Sequence, residues 1–251
     1  STGRNAAIRA TQGDIIAVTD SGVRLAPDWL EQLITPFGQE KTVLAAGFFR
    51  AEVQTTFETA MGATVLPELD DINPARFLPS SRSVAFRKTA WEAIGGYPEW
   101  LHHSEDVVFD LRIRERFGDF AFVPTALAYF RPRGSLKSFA RQYFLYGAGD
   151  GHAGIFARLH FIRYFTYLIA VPLGLYAALT VSPAVWLLGG LAELAYVRRP
   201  LIRASRLWGS LSLAQRSNVI LLLPIIRLVG DMAKMLGYPV GLWKRLGKGK
   251  K

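Results

Sequence analysis

Three carboxylates stand at places where a side chain can do chemistry. Asp20 closes the run Gly13-Asp14-Ile15-Ile16-Ala17-Val18-Thr19-Asp20-Ser21-Gly22. An acid there lies at the carboxyl end of a short buried strand, the rim at which open α/β sheets bind ligands. It can accept from a ribose hydroxyl or ligate a divalent cation, and Asp-Ser-Gly after a strand is equally ordinary turn chemistry. Glu105 and Asp106 follow Leu101-His102-His103-Ser104 at a predicted helix start. Adjacent acids there answer the helix dipole, and an oriented carboxylate is also what a general base for a hydroxyl requires. His102 and His103 have the chemistry of metal ligands, though neighbouring His in a loop more often face solvent, and no role is assigned to them.

The elements that must position these acids follow from hydrophobic patterning. Ile15–Thr19, Thr42–Phe49, Ser83–Phe86 and Phe120–Pro124 read as short strands. Pro27–Phe37 opens with Pro and Asp as a helix does, and Glu105–Phe117 has acids at its start and bases later. Strands alternating with amphipathic helices predict an α/β domain over residues 1–150.

Composition closes several function classes. Of 251 residues, 50% are hydrophobic and none is Cys, so a full core is affordable while disulfides, zinc-thiolate sites, iron–sulfur clusters and a cysteine nucleophile are excluded. The net charge of +10 is carried by the end of the chain: 12 Lys/Arg and only Asp231 lie from Arg198 onward, leaving 18 bases and 19 acids before it. Those bases adjoin apolar segments, which argues for a membrane surface and against nucleic acid.

Residues 151–251 read as membrane-associated helices. The stretch 164–197, broken at Ser182-Pro183, carries only Glu193 as a charge and predicts a transmembrane hairpin. Its first arm, Tyr164–Val181, spans roughly 27 Å against a hydrocarbon core of about 30 Å. A buried helical hairpin is the alternative. Arg158 and Arg163 before it and Arg198, Arg199, Arg203 and Arg206 after it put both ends in the cytoplasm, so the expected placement is multi-pass with the α/β domain cytoplasmic. Over 218–243, Arg227, Asp231 and Lys234 share one helical stripe, which predicts an interfacial helix, with a third crossing as the alternative. The basic tail Lys244, Arg245, Lys248, Lys250 and Lys251 would meet anionic headgroups. Phe139, Tyr143 and Tyr146 form another stripe, read as packing on the bilayer.

Taken in order, Gly3-Arg4-Asn5-Ala6-Ala7-Ile8, Thr19-Asp20, Pro27-Asp28-Trp29-Leu30, Ser83-Val84-Ala85-Phe86-Arg87, Ile94-Gly95-Gly96-Tyr97-Pro98 and Ser104-Glu105-Asp106 resemble the family 2 glycosyltransferases. The resemblance covers about residues 3–150. It implies a GT-A-like fold, a Rossmann-like mixed sheet flanked by helices, with the family's first strand region lying amino-terminal to Arg4. It implies inverting sugar transfer from a nucleoside-diphosphate sugar to a lipid-linked or polysaccharide acceptor at the membrane. Asp106 would be the catalytic base with Glu105 beside it. Arg4, Asn5, Asp20, Ser21 and Gln142 would hold the donor, and Gly95, Gly96 and Tyr97 would shape the acceptor side.

Asp20 would also bind a divalent cation, Mg2+ or Mn2+. Gly22, however, stands where the family's Asp-x-Asp has its second acid, and Leu145 and Tyr146 stand where Gln-x-x-Arg-Trp has Arg and Trp. The alternative expectation is a non-catalytic, membrane-bound partner.

Overall fold

The apolar runs become strands of one mixed five-stranded sheet in a computed structural model that describes Ser1–Lys248. Lys250 and Lys251 of the basic tail lie outside the described residues. The strands are β1 (Ile15–Val18), β2 (Val23–Leu25), β3 (Leu44–Ala51), β4 (Val84–Arg87) and β5 (Ala121–Phe130), in the order β1-β4-β3-β5-β2. β4 runs antiparallel to both its neighbours, β3 and β5 pair in parallel, and β2 returns antiparallel on β5.

β5 continues past the predicted end at Pro124. The register between β3 and β5 jumps from Gly47↔Val123 to Phe48↔Leu127, because a proline has no amide to give the ladder and is tolerated at such an irregularity.

Alternation along the strands decides which face each helix covers. Leu44, Ala46, Val84 and Phe86 point to one side, under α1 (Thr2–Ala10), α4 (Lys88–Ala93) and α5 (Glu105–Phe117), and pack with Ile8, Trp91, Tyr97, Phe109 and Ile113. Ala45 and Ala85 point to the other side, where α2 (Trp29–Ile34) supplies Trp29 and Leu33. Burying a side chain such as Phe109 or Leu33 stabilises the fold by about 1.5–3 kcal/mol. The expected α/β class holds, and these elements form one compact unit of residues 1–52 and 66–132.

A second unit, residues 53–65 and 133–251, is helical over its described residues. It contains α3 (Thr56–Val65), α6 (Leu136–Ala153), α7 (Ala157–Phe165), α8 (Val171–Thr180), α9 (Val185–Ser205) and α10 (Leu213–Lys248). α7 and α8 join through a wide turn at Thr166–Ala170 into one continuous rod, Ala157–Thr180. Among the described residues this is the one helix long and apolar enough to cross a membrane, and it is almost wholly exposed. The predicted second arm is different. α9 runs on through Arg198, Arg199 and Pro200, and its apolar part, Val185–Val197, gives only about 20 Å against the about 30 Å needed. The multi-pass expectation is therefore corrected to one candidate span.

The centre of this unit is α6 against α10. A Cβ on Gly147 or Gly151 would strike the backbone of Lys234 or Tyr238, and one on Gly237 or Gly241 would strike Phe144 or Ala148. Each helix thus presents a Gly-x-x-x-Gly face, which brings the two backbones into contact.

This packing corrects two expectations. Phe139 is fully buried among Met61, Val219 and Leu223, so the aromatic stripe of α6 packs on protein. The charged stripe of α10 also faces inward: Asp231 bonds Arg163, Tyr167 and Tyr196. Leu221, Leu228, Leu236 and Trp243 point outward.

Gly237→Ala is expected to cost about 1–3 kcal/mol through overpacking, whereas Gly174→Ala, with open space around its Cβ, should be silent. Thermal melting followed by helical circular dichroism compares the two, and equal melting temperatures would contradict the close contact.

Candidate active site

Arg4, on the first turns of α1, organises the rim of the sheet. Its Nη2 donates to Asp20 Oδ1 at 3.1 Å and its Nη1 to Ser81 Oγ at 3.1 Å. The guanidinium lies over the Tyr97 ring, 5.0 Å from its centroid, a cation–π distance. Asp20 sits just past β1, as expected. Arg4 is only partly covered, with 24% of its side chain exposed, so the cation is accessible to a ligand. Ser21 and Gly22 form the exposed turn that follows, and Gly22 has φ +78°. That backbone conformation suits glycine and would strain an acid in its place.

Asn5, expected to hold the donor, has its side chain engaged within the protein. Its Nδ2 donates to Tyr97 O at 2.8 Å and Glu99 Oε1 at 2.9 Å. Its Oδ1 accepts from Trp91 Nε1 at 3.1 Å and Tyr97 N at 3.0 Å. These four bonds use the full capacity of an amide. They pin the segment after α4, and the bond from Asn5 is the main reason the Glu99 carboxyl is held below its ordinary range.

Gly95 and Gly96 end α4, their amides bonding Glu92 O and Trp91 O. A Cβ on Gly96 would press on Trp91 and on Asn5 Oδ1. Tyr97 is almost fully buried and stacks on Phe109 at 4.1 Å. The three residues expected to shape the acceptor side therefore build the floor under Arg4.

α5 brings its acids to that same floor. Ser104 turns the chain with φ 62°, and Asp106 Oδ1 accepts from the Val107 amide at 2.9 Å, which fixes the carboxylate at the helix start. Glu105 and Asp106 are both half-buried. The Tyr97 hydroxyl is held far above its ordinary value, first by burial and then by Asp110, Asp106 and Glu105, against the lowering effect of Arg4. Arg4, joined to Asp20, and the α5 acids thus act on one buried ring.

Asp110 is the residue that the carboxylate reading missed. It lies one turn after Asp106, is 3% exposed, and its carboxyl is raised well above the ordinary range by burial, then by the Asp106 charge, against Arg114 and Arg4. The signal was present in Glu105-Asp106-Val107-Val108-Phe109-Asp110 as an acid at i+4 in an apolar helix. Gln142 belongs to the second unit, where its Nε2 donates to Tyr146 Oη at 2.7 Å and its Oε1 accepts from Arg133 Nε at 3.4 Å.

The donor set does not make a protein-held metal site. Among the described residues no three acids or histidines converge, and one oxygen of Asp20 is already paired with Arg4.

Residues 1–92 match the family described as Glycosyl transferase family 2. This part of the chain is similar to glycosyl transferase family 2. The family 2 segment carries Arg4, Asn5, Asp20 and Ser81 and ends within α4, so Tyr97, Glu105, Asp106 and Asp110 lie beyond it. The mixed sheet flanked by helices is GT-A-like. No curated protein matches the chain. Among solved structures it is similar to the mannosyltransferase PcManGT from Pyrobaculum calidifontis, solved in complex with GDP-Man and Mn2+. The identity is 14% and the TM-score 0.45, over 97% of this chain and 65% of that one. This chain therefore spans somewhat less than two thirds of that protein's length.

Asp110 sets a pH dependence. Its folded-state affinity for a proton exceeds the unfolded one, for which the reference value is 3.8, so its contribution to stability is present below that value and is lost as pH rises through the folded value. Asp110→Asn is expected to gain melting temperature relative to wild type between about pH 5 and about pH 8. A difference that stays constant across that range would contradict a protonated, buried Asp110.

Proposed function

We propose that the chain is the membrane-associated part of an inverting glycosyltransferase that moves a sugar from a nucleoside-diphosphate sugar to a lipid-linked or polysaccharide acceptor. The observation that carries the reading is the Arg4–Asp20 ion pair at the end of β1, set over the ring that Asp106 also influences. Asp20 accepts from the ribose hydroxyls of the donor, the exposed Ser21 turn donates to its diphosphate, and Arg4 offers the diphosphate a charge-assisted donor. Asp106, oriented by the Val107 amide, takes the proton from the acceptor hydroxyl. The freed oxygen attacks the anomeric carbon from the face opposite the diphosphate, the carbon–oxygen bond to the diphosphate breaks, and the departing charge falls near Arg4. One displacement needs one base and no covalent nucleophile, which accords with a chain lacking Cys. Glu105 supports the charge of this helix start, and Gln142 is assigned to the donor only through its resemblance to the family's Gln-x-x-Arg-Trp element. No step is assigned to a divalent cation, because a single carboxylate already paired with a guanidinium is a poor ligand set.

The second unit supports the membrane part of the reading. Asp231 and Arg163 pair with each other on the inner side of α10 while Leu221, Leu228 and Leu236 point outward, the arrangement that an apolar solvent favours. One feature, Gly22 in place of a second acid, favours the alternative of a non-catalytic membrane-bound partner, for which wild type would bind no nucleotide.

The test uses the full-length protein in lipid nanodiscs, with label transfer from a panel of nucleoside-diphosphate hexoses. Asp106→Asn is expected to lower transfer by about 10²–10⁴-fold while UDP or GDP affinity, measured calorimetrically, stays within about threefold. Arg4→Gln should weaken nucleotide binding by about tenfold. Retained turnover in Asp106→Asn would remove that residue from its role, and silence of wild type toward every nucleotide would favour the alternative.

A further inference from the structure

We propose that the second unit has an anion-binding cleft of its own, which takes the phosphate headgroup of an amphiphile. The cleft has a volume of about 210 Å³ and is lined by Thr64, Phe139, Tyr143, Tyr196, Arg227 and Asp231, from α3, α6, α9 and α10. It does not depend on the transferase reading, since all its residues lie in the second unit.

Its charge is the first argument. The Asp231 carboxylate is already engaged: Oδ1 accepts from Arg163 Nε at 2.6 Å, and Oδ2 accepts from Tyr196 Oη at 2.6 Å and Tyr167 Oη at 3.1 Å. Asp150, the other acid acting on Lys234, bonds His160 Nε2 at 3.1 Å. Arg227 makes no ion pair among the described residues and sits over the Tyr196 ring, 4.0 Å from its centroid. Lys234 sits over Tyr143 at 5.3 Å. Of the two charged residues that line the cleft, Asp231 is neutralised by Arg163, which leaves the Arg227 charge in excess. Aromatic faces hold the cations in place without neutralising them. A phosphate ester supplies the missing charge and accepts bidentate bonds from a guanidinium.

Size and surroundings name the class. The volume falls below the about 300–1,000 Å³ of pockets that enclose a whole drug-sized ligand, so a headgroup enters and the rest of the molecule lies outside. Arg163 and Tyr167, which bind Asp231, belong to the apolar rod Ala157–Thr180. Its next residue, Leu168, is 65% exposed. An apolar chain leaving the cleft meets that surface at once, whereas a soluble phosphate ester gains nothing from it.

The probe is dihexanoyl phosphatidic acid, compared with dihexanoyl phosphatidylcholine and inorganic phosphate by titration calorimetry on the full chain in zwitterionic detergent. Wild type is expected to bind the phosphatidic acid about tenfold more tightly than either comparison ligand. Arg227→Gln should reduce it to the phosphatidylcholine level, and Arg227→Lys, which keeps the charge and loses the bidentate fork, should fall between wild type and Arg227→Gln. Equal binding of the two lipids by wild type overturns the proposal without recourse to a variant, as does an unchanged affinity in a folded Arg227→Gln. Inorganic phosphate binding as tightly as the phosphatidic acid would assign the cleft to a soluble phosphate ester and overturn the amphiphile.

Discussion

A single guanidinium ties the candidate site together. Arg4 grips the acid at the end of β1, reaches the Ser81 hydroxyl, and rests on a ring buried against α5. None of these contacts survives unless α1 packs on the sheet and the segment after α4 is fixed, and Asn5 does both jobs from the neighbouring position. Its amide ties the chain to Trp91, Tyr97 and Glu99. The polar rim therefore stands on a saturated hydrogen-bond cluster, and the expense of burying those polar groups is met because each finds a partner.

The two units apply the same rules in opposite arrangements. In the first, apolar side chains alternate onto the two sheet faces and acids gather at element ends. In the second, Asp231 and its partners are gathered inside, while the leucines of α7, α8 and α10 face out. The inward charges are acceptable because they are paired or laid on aromatic faces, since an isolated ion in a poorly solvated place is costly.

Much of the first unit was legible because its signals are local. Ile15–Val18 and Glu105–Phe117 came through nearly residue for residue, being an apolar run before a turn and an amphipathic stretch with charged ends. β2 was not legible, since three residues, Val23–Leu25, are too few to show alternation. α3 escaped for another reason: almost all of its residues are buried, so it has no polar face to give a period. In the second unit periodicity found the stripes of α6 and α10 correctly but not what covers them. Phe139 was assigned to lipid and lies under α10, because an apolar stripe looks alike against either partner. At the site, the residue types of Arg4, Asp20 and Asp106 could be named in advance. The structural duties of Asn5 and Tyr97 could not, as they depend on contacts between segments far apart in the chain.

The glycine faces of α6 and α10 carry a mechanical implication. Where backbone touches backbone there is no layer of side chains to shear, so neither helix can roll or slide without the other. The pair behaves as one stiff beam running from Leu136 to Lys248. A pull on α10 is felt where α6 begins, four residues after Pro132.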